Sequence, residues 1–183
     1  MKAPIRLTLV ALVVSTAVAQ AQAPQAMPSA GPLSAALLSA LGRVTQNMPG
    51  AGELMPAEKF SYKPTPEQMS FGEILAHEAQ SNETLCSAIA GSAQTPSESA
   101  AGATAPKEEL VDRLRKSFEY CGGIVSKLTE SSLGDSVPFF GGRKATRARA
   151  VVALAQDWAD HYAQAAMYLR LNGILPPSAR PKK

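Results

Sequence analysis

Charge is scarce in this sequence, and so are the side chains that carry most metal and redox chemistry. Only 18% of the 183 residues are charged, two are cysteine and two are histidine. The formal net charge is +3, and it falls by two to +1 if Lys2 and Arg6 leave with the N-terminus, because residues 1–23 hold no acid. So neutral a surface offers no electrostatic footprint for nucleic acid, and no such partner is expected. Neither cysteine belongs to a CxxC or CxxCH pattern, so thioredoxin-like chemistry and c-type haem attachment both lack their motif. No Ser-His-Asp arrangement is legible, and Gly141-Gly142-Arg143-Lys144 is not a P-loop. Internal repeats and strand-like alternation are also missing. Beyond the N-terminus no apolar run is long enough for a bilayer, so no permanent membrane span is expected.

The N-terminus itself reads MKAPIRLTLVALVVSTAVAQAQA. Lys2 and Arg6 precede a short apolar stretch from Leu7 to Val18, and Ala19-Gln20-Ala21 or Ala21-Gln22-Ala23 supplies a small-x-small cleavage pattern. Residues 1–23 are therefore expected to be a cleaved signal peptide, with a periplasmic or secreted destination. A retained anchor is the alternative. Residues 24–31 form a Pro/Ala/Ser-rich lead, and residues 179–183 a basic tail.

Between them, four segments show apolar residues at helical spacing. The first is Leu33–Met48, carrying Leu33, Leu37, Leu38, Leu41 and Val44; Pro49, Gly50 and Gly52 are expected to break or kink it. A link holding Phe60 and Tyr62 leads through Thr65, a potential cap, to a second helix over about Ser70–Ala90. Its inner side is expected at Phe71, Ile74, Ser81, Leu85, Ala88 and Ile89, with His77 at the border. After a Ser/Ala/Gly/Thr-rich loop, Pro106 opens a third helix to about Thr129, with Leu110, Leu114, Phe118, Cys121, Val125 and Leu128 on its stripe. Residues 130–144 read as a loop whose apolar tip, Phe139-Phe140, covers the open end of the core. Lys144, Arg147 and Arg149 read as a solvated first-turn face of the last helix.

That last helix is the most informative stretch. Val151, Leu154, Ala155, Trp158, Tyr162, Ala165 and Leu169 share one face. Along its edge runs a polar row, Asp157, His161, Gln164 and Tyr168, in steps that stack the side chains. A carboxylate and an imidazole one turn apart beside the core need partners, and a divalent metal is one candidate. Asn172-Gly173 and Pro176-Pro177 end the helix.

The phrase DHYAQAAMYLRLNGILPPSAR resembles the last helix of secreted members of the DinB-like superfamily. PAEKFSYKPTPEQMSFGEILAHE resembles the family's entry into its second helix, and HEAQSNETLCSAIAG and Tyr120-Cys121 match further phrases. The resemblance implies an all-α four-helix bundle over residues 32–178, in which three side chains, usually histidines, hold a divalent metal. On its residues alone His77 reads as a hydrogen-bonded histidine at a helix edge; the resemblance makes it a ligand. The implied ligand set is His77, Asp157 and His161, a departure, because most relatives carry histidine where Asp157 stands. Two nitrogens and one carboxylate oxygen suit Zn²⁺, Ni²⁺ or Fe²⁺. Asn82, Gln164 and Tyr168 are expected beside the ligands or lining the pocket. The resemblance also sets the Phe139-Phe140 loop near the mouth of the bundle, which makes ligand contact the alternative to covering the core, and the implied assembly includes a homodimer.

Cys86 and Cys121, in an exported chain, allow one disulfide between the second and third helices. Two buried thiols packing as small hydrophobes are the alternative. Characterised intracellular relatives include metal-dependent thiol S-transferases. The resemblance thus implies a metal-dependent transferase or hydrolase acting on an unknown small molecule. The competing expectation is a non-catalytic bundle that binds a small molecule or partner without a tight metal.

Overall fold

The computed structural model describes residues 31–92 and 105–181. The expectations for residues 1–23, for 24–30 and for the last two residues of the tail lie outside these. Four helices carry the fold: α1 (Pro32–Leu54), α2 (Phe71–Ala90), α3 (Lys107–Val125) and α4 (Arg147–Leu171). α2 packs against α3 and α4, and α1 packs against the same two helices, so α1 and α2 face each other across the diagonal of a four-helix bundle. The shared core is built from Met48, Met55, Phe71, Ile74, Leu75, Leu114, Phe118, Leu154 and Leu169, all essentially excluded from solvent. No described helix is long and apolar enough to cross a membrane.

α1 departs from expectation, running through Pro49 to Leu54. Proline inside a helix forfeits one backbone bond and costs about 3 kcal/mol. Tertiary contacts offset that cost here. Met48, Pro49, Ala51 and Gly52 are all buried. A Cβ at Gly52 would come within 2.7 Å of Val111 and 2.8 Å of Leu75, so glycine lets α2 and α3 close on this turn. Lys107 then donates to the carbonyls of Glu53 (2.7 Å) and Met55 (2.8 Å), placing a cation on the helix C-terminus.

The other boundaries follow local chemistry. Ser70, rather than Thr65, caps α2: Ser70 Oγ accepts from the Glu73 N–H, and Glu73 returns to the Ser70 N–H. Gly91, at φ 83°, ends the helix in the left-handed region. Phe60 of the link packs edge-on to Phe71, with centroids 5.3 Å apart. Cys86 on α2 and Cys121 on α3 are bridged, Cα to Cα 5.4 Å. A cross-link spanning 35 residues stabilises by roughly 3–4 kcal/mol.

The α3–α4 connection is more ordered than its loop-like composition suggests. β1 (Ser136–Pro138) and β2 (Lys144–Thr146) form an antiparallel ribbon with Val137 opposite Ala145. Three residues per strand are too few for alternation to show. Arg147 is no solvated face: it donates to the carbonyls of Ser132 (3.1 Å) and Ile89 and pairs with Asp135. It thereby clamps the connection onto the end of α2. Phe139 packs against the core, whereas Phe140 stays 42% exposed.

Candidate metal centre

Facing turns of α2 and α4 bring together three of the residues singled out in the sequence. His77, Asp157 and His161 each offer a ligand atom, and these atoms lie within 4.8 Å of one another. His77 is exposed, Asp157 half-buried and His161 buried, so the cluster opens to solvent on the α2 side. The two imidazole rings stand 4.8 Å apart, centroid to centroid. Asp157 and His161 occupy successive turns of one helix face, which is why their side chains converge.

The orientation of His161 is set from behind. Its Nδ1 lies 2.9 Å from the Asp157 carbonyl oxygen, which only accepts, so Nδ1 carries the hydrogen. In the neutral ring Nε2 then keeps its lone pair, the form a metal ligand requires. Asp157 Oδ1 lies 3.5 Å from the same nitrogen, while Asp157 Oδ2 is buried without a hydrogen-bond partner.

A fourth group belongs to the cluster. Glu78, next to His77, is completely buried, and neither carboxyl oxygen has a hydrogen-bond partner among the described residues. Its Oε2 sits 3.4 Å from His161 Nδ1, close enough for charge attraction but not aligned as a hydrogen bond. Burial, then the charge of Asp157, pushes the Glu78 carboxyl up to about 8 against the opposing pull of His161. For His161 burial is the largest single influence and acts downward. The hydrogen bonds and charge of Asp157, with the charge of Glu78, outweigh it and bring the ring up to about 9. His77 is pushed down by desolvation and by the neighbouring His161.

Sequence reasoning missed Glu78, yet a signal was present. Leu75, Glu78, Asn82 and Leu85 follow one another at steps of three and four along the inner face of α2. A carboxylate within such a row is buried by the helix repeat, and Glu78 and Asn82, not the half-buried Ser81, complete that face.

The remaining predicted residues go elsewhere. Asn82 accepts from the Trp158 indole (2.7 Å) and donates to Ser117 Oγ (3.0 Å), tying α2, α3 and α4 together one turn from Glu78. Gln164 donates to Asp160 near the surface. Tyr168 donates to the Met69 carbonyl and packs near Phe71 and Tyr62. Neither Gln164 nor Tyr168 hydrogen-bonds to the cluster.

The donor set fits a divalent cation. Two imidazoles and the Asp157 carboxyl converge at the site, Asp157 Oδ2 lacks a hydrogen-bond partner, and the buried Glu78 carboxyl lies behind the His161 ring. Buried carboxylates without donors are costly, and a cation is the ordinary way to compensate them. Fold and site define a class: an all-α bundle presenting a histidine–carboxylate cluster between its second and fourth helices.

The chain belongs to the DinB superfamily, whose family profile matches residues 40–165. Among solved structures it is similar to a DinB-like protein from Bacillus cereus, at 16% identity and TM-score 0.63, covering 77% of this chain and 93% of that one. A DinB-like protein from Bacillus subtilis matches at 21% identity and TM-score 0.61, covering 82% and 100%. A mycothiol-dependent maleylpyruvate isomerase matches at 16% identity and TM-score 0.60, over 73% of this chain and 60% of the isomerase. At such identities these likenesses establish the fold alone. No curated protein matches the chain.

Proposed function

We propose that the protein is an exported DinB bundle that binds one divalent metal through His77, Asp157 and His161 and uses it in a transferase or hydrolase reaction on a small molecule. The observation that carries this reading is the convergence of three ligand atoms within 4.8 Å beside buried carboxyl oxygens that have no donor. When bound, the metal supplies Lewis acidity and lowers the pKa of a coordinated water or thiol. The chain's own residues do the rest. The Asp157 carbonyl fixes the tautomer of His161, and Glu78 holds a proton behind that ring, shielded from water by its complete burial. The mycothiol dependence of the structural neighbour makes a low-molecular-weight thiol the first co-substrate to try.

Elemental analysis of the protein purified without a metal-affinity tag, beside His161→Ala, tests the centre. One equivalent in the parent, lost in the variant, is expected. No metal in either, even after reconstitution with Zn²⁺, Ni²⁺ or Fe²⁺, sinks the reading.

One observation favours the non-catalytic alternative: a protonated His161 paired with Asp157 neutralises part of the cluster without any metal. The bundle would then bind its small molecule or partner without a tight ion. Chelation would leave stability and ligand binding unchanged.

The export reading rests on the N-terminal pattern and agrees with the Cys86–Cys121 bridge. Intact mass of the periplasmic or secreted protein should begin at residue 22 or 24. A chain beginning at Met1 would overturn it.

A further inference from the structure

A groove beside Asp157 combines features that metal ligation does not explain. It is a solvent-open depression of about 480 Å³ between α4 and the ribbon loop, lined in part by Leu85, Phe139, Phe140, Arg143, Arg149 and Asp157. That volume suits a small organic molecule. Its apolar part is the edge-to-face pair Phe139–Phe140, with centroids 4.7 Å apart. Its cationic part is two arginines, neither of which has a carboxylate within 4.0 Å among the described residues. The Arg149 guanidinium instead lies 5.8 Å from the Phe139 ring centroid. Arg143 spends only its Nε, on the Phe140 carbonyl at 3.2 Å. Terminal N–H groups of both are thus left for an oxyanion, and the guanidinium fork matches a carboxylate in two bonds.

We propose that this groove receives the substrate of the metal centre, and that the substrate is a small monocarboxylate with an aryl body. The carboxylate rests on Arg143 and Arg149, the ring lies against Phe139 and Phe140, and the reacting end approaches the metal at Asp157. A single negative charge is favoured over a phosphate because Asp157 and Asp160 also line the groove. A dianion would meet stronger repulsion from them. The inference rests on the metal-centre reading above.

Isothermal titration of the Zn²⁺-treated protein with 4-phenylbutyrate, 4-phenylbutanamide and inorganic phosphate tests it, with metal content measured in every sample. The carboxylate is expected to bind, the amide and phosphate to bind at least tenfold more weakly, and Arg143→Gln/Arg149→Gln to weaken the carboxylate on the order of tenfold or more at unchanged metal content. Both arginines are exposed, and the clamp Arg147 is left intact. Binding that survives the double substitution, as when the carboxylate sits directly on the metal, overturns the proposal. So does preferential binding of phosphate. If the chain takes up no Zn²⁺ yet binds the carboxylate through these arginines, the groove stands and the metal-centre reading falls. If it takes up Zn²⁺ and ignores the carboxylate, the metal centre stands and the groove falls.

Discussion

Two polar clusters lie one turn apart between α2 and α4, and they are completed to different degrees. In the first, Asn82 joins the Trp158 indole to Ser117, and Ser117 donates onward to the Leu114 carbonyl at 2.7 Å. In the second, Glu78, Asp157, His161 and His77 meet, and three carboxyl oxygens are left without a hydrogen-bond donor. A closed network uses its polar groups on one another and specifies the packing. An open one, partly exposed at His77, is compensated either by retained protons, as on Glu78 and His161, or by a counter-charge from outside. The comparison marks the first cluster as a structural tie and the second as the candidate for ligand binding.

The largest effect that sharpens this contrast is metal-linked stability. Zn²⁺ at about a thousand times its dissociation constant should stabilise the fold by about 4 kcal/mol, read from urea unfolding with and without chelator. His161→Ala should remove that gain. An equal stability of chelated and Zn²⁺-treated protein would place both clusters in the structural class. Next comes Asn82→Ala, which strands the buried Trp158 N–H and should cost about 2–3 kcal/mol. That loss should be the same with metal and without. A loss appearing only in the metal-loaded protein would couple the clusters and blur the division.

The sequence made these clusters legible to different extents, for physical reasons. Asp157 and His161 share a helix face, so the helical repeat alone placed them together. His77 lies far away in the chain, and only the family resemblance joined it to them. Glu78 was hidden because its row otherwise reads as a stripe of core residues. The continuation of α1 through Pro49 was equally hidden, since the contacts that outweigh proline come from Leu75, Val111 and Lys107 on other helices. The ribbon in the α3–α4 connection was too short to leave a period, and Arg147 reads as surface until Ile89, Ser132 and Asp135 fold around it. Local periodicity was readable; compensation between distant segments was not.

A smaller effect separates the clusters by pH. Glu78 moves from 4.5 up to about 8, and His161 from 6.5 up to about 9, so the folded metal-free protein retains protons that the unfolded chain has released. Their stabilising contributions are complete below the unfolded values and are lost as pH rises through the folded ones. His77 is shifted the opposite way and adds stability as pH rises towards 6.5. The metal-free protein should therefore lose stability between pH 6 and pH 9. Metal binding requires deprotonated ligands, so the metal-dependent gain should grow over the same window. Urea titrations at pH 6, 7.5 and 9 under both conditions check this, and parallel curves would argue against the centre.

Glu78→Gln probes the open cluster most gently, because it keeps the shape of the side chain and removes only its ionisation. At pH 6 Glu78 is still protonated, so the metal-free variant should differ from the parent by less than about 1 kcal/mol. At pH 9 the parent buries a carboxylate and the variant does not, so the variant should be the more stable and its decline with pH the shallower. With metal the order should reverse. Losing the negative charge behind His161 should weaken Zn²⁺ binding on the order of tenfold, because the carboxylate attracts the cation held by that ring. If the substitution leaves both the pH slope and the Zn²⁺ affinity unchanged, Glu78 is a packing residue, and the open cluster shrinks to the three residues at its rim.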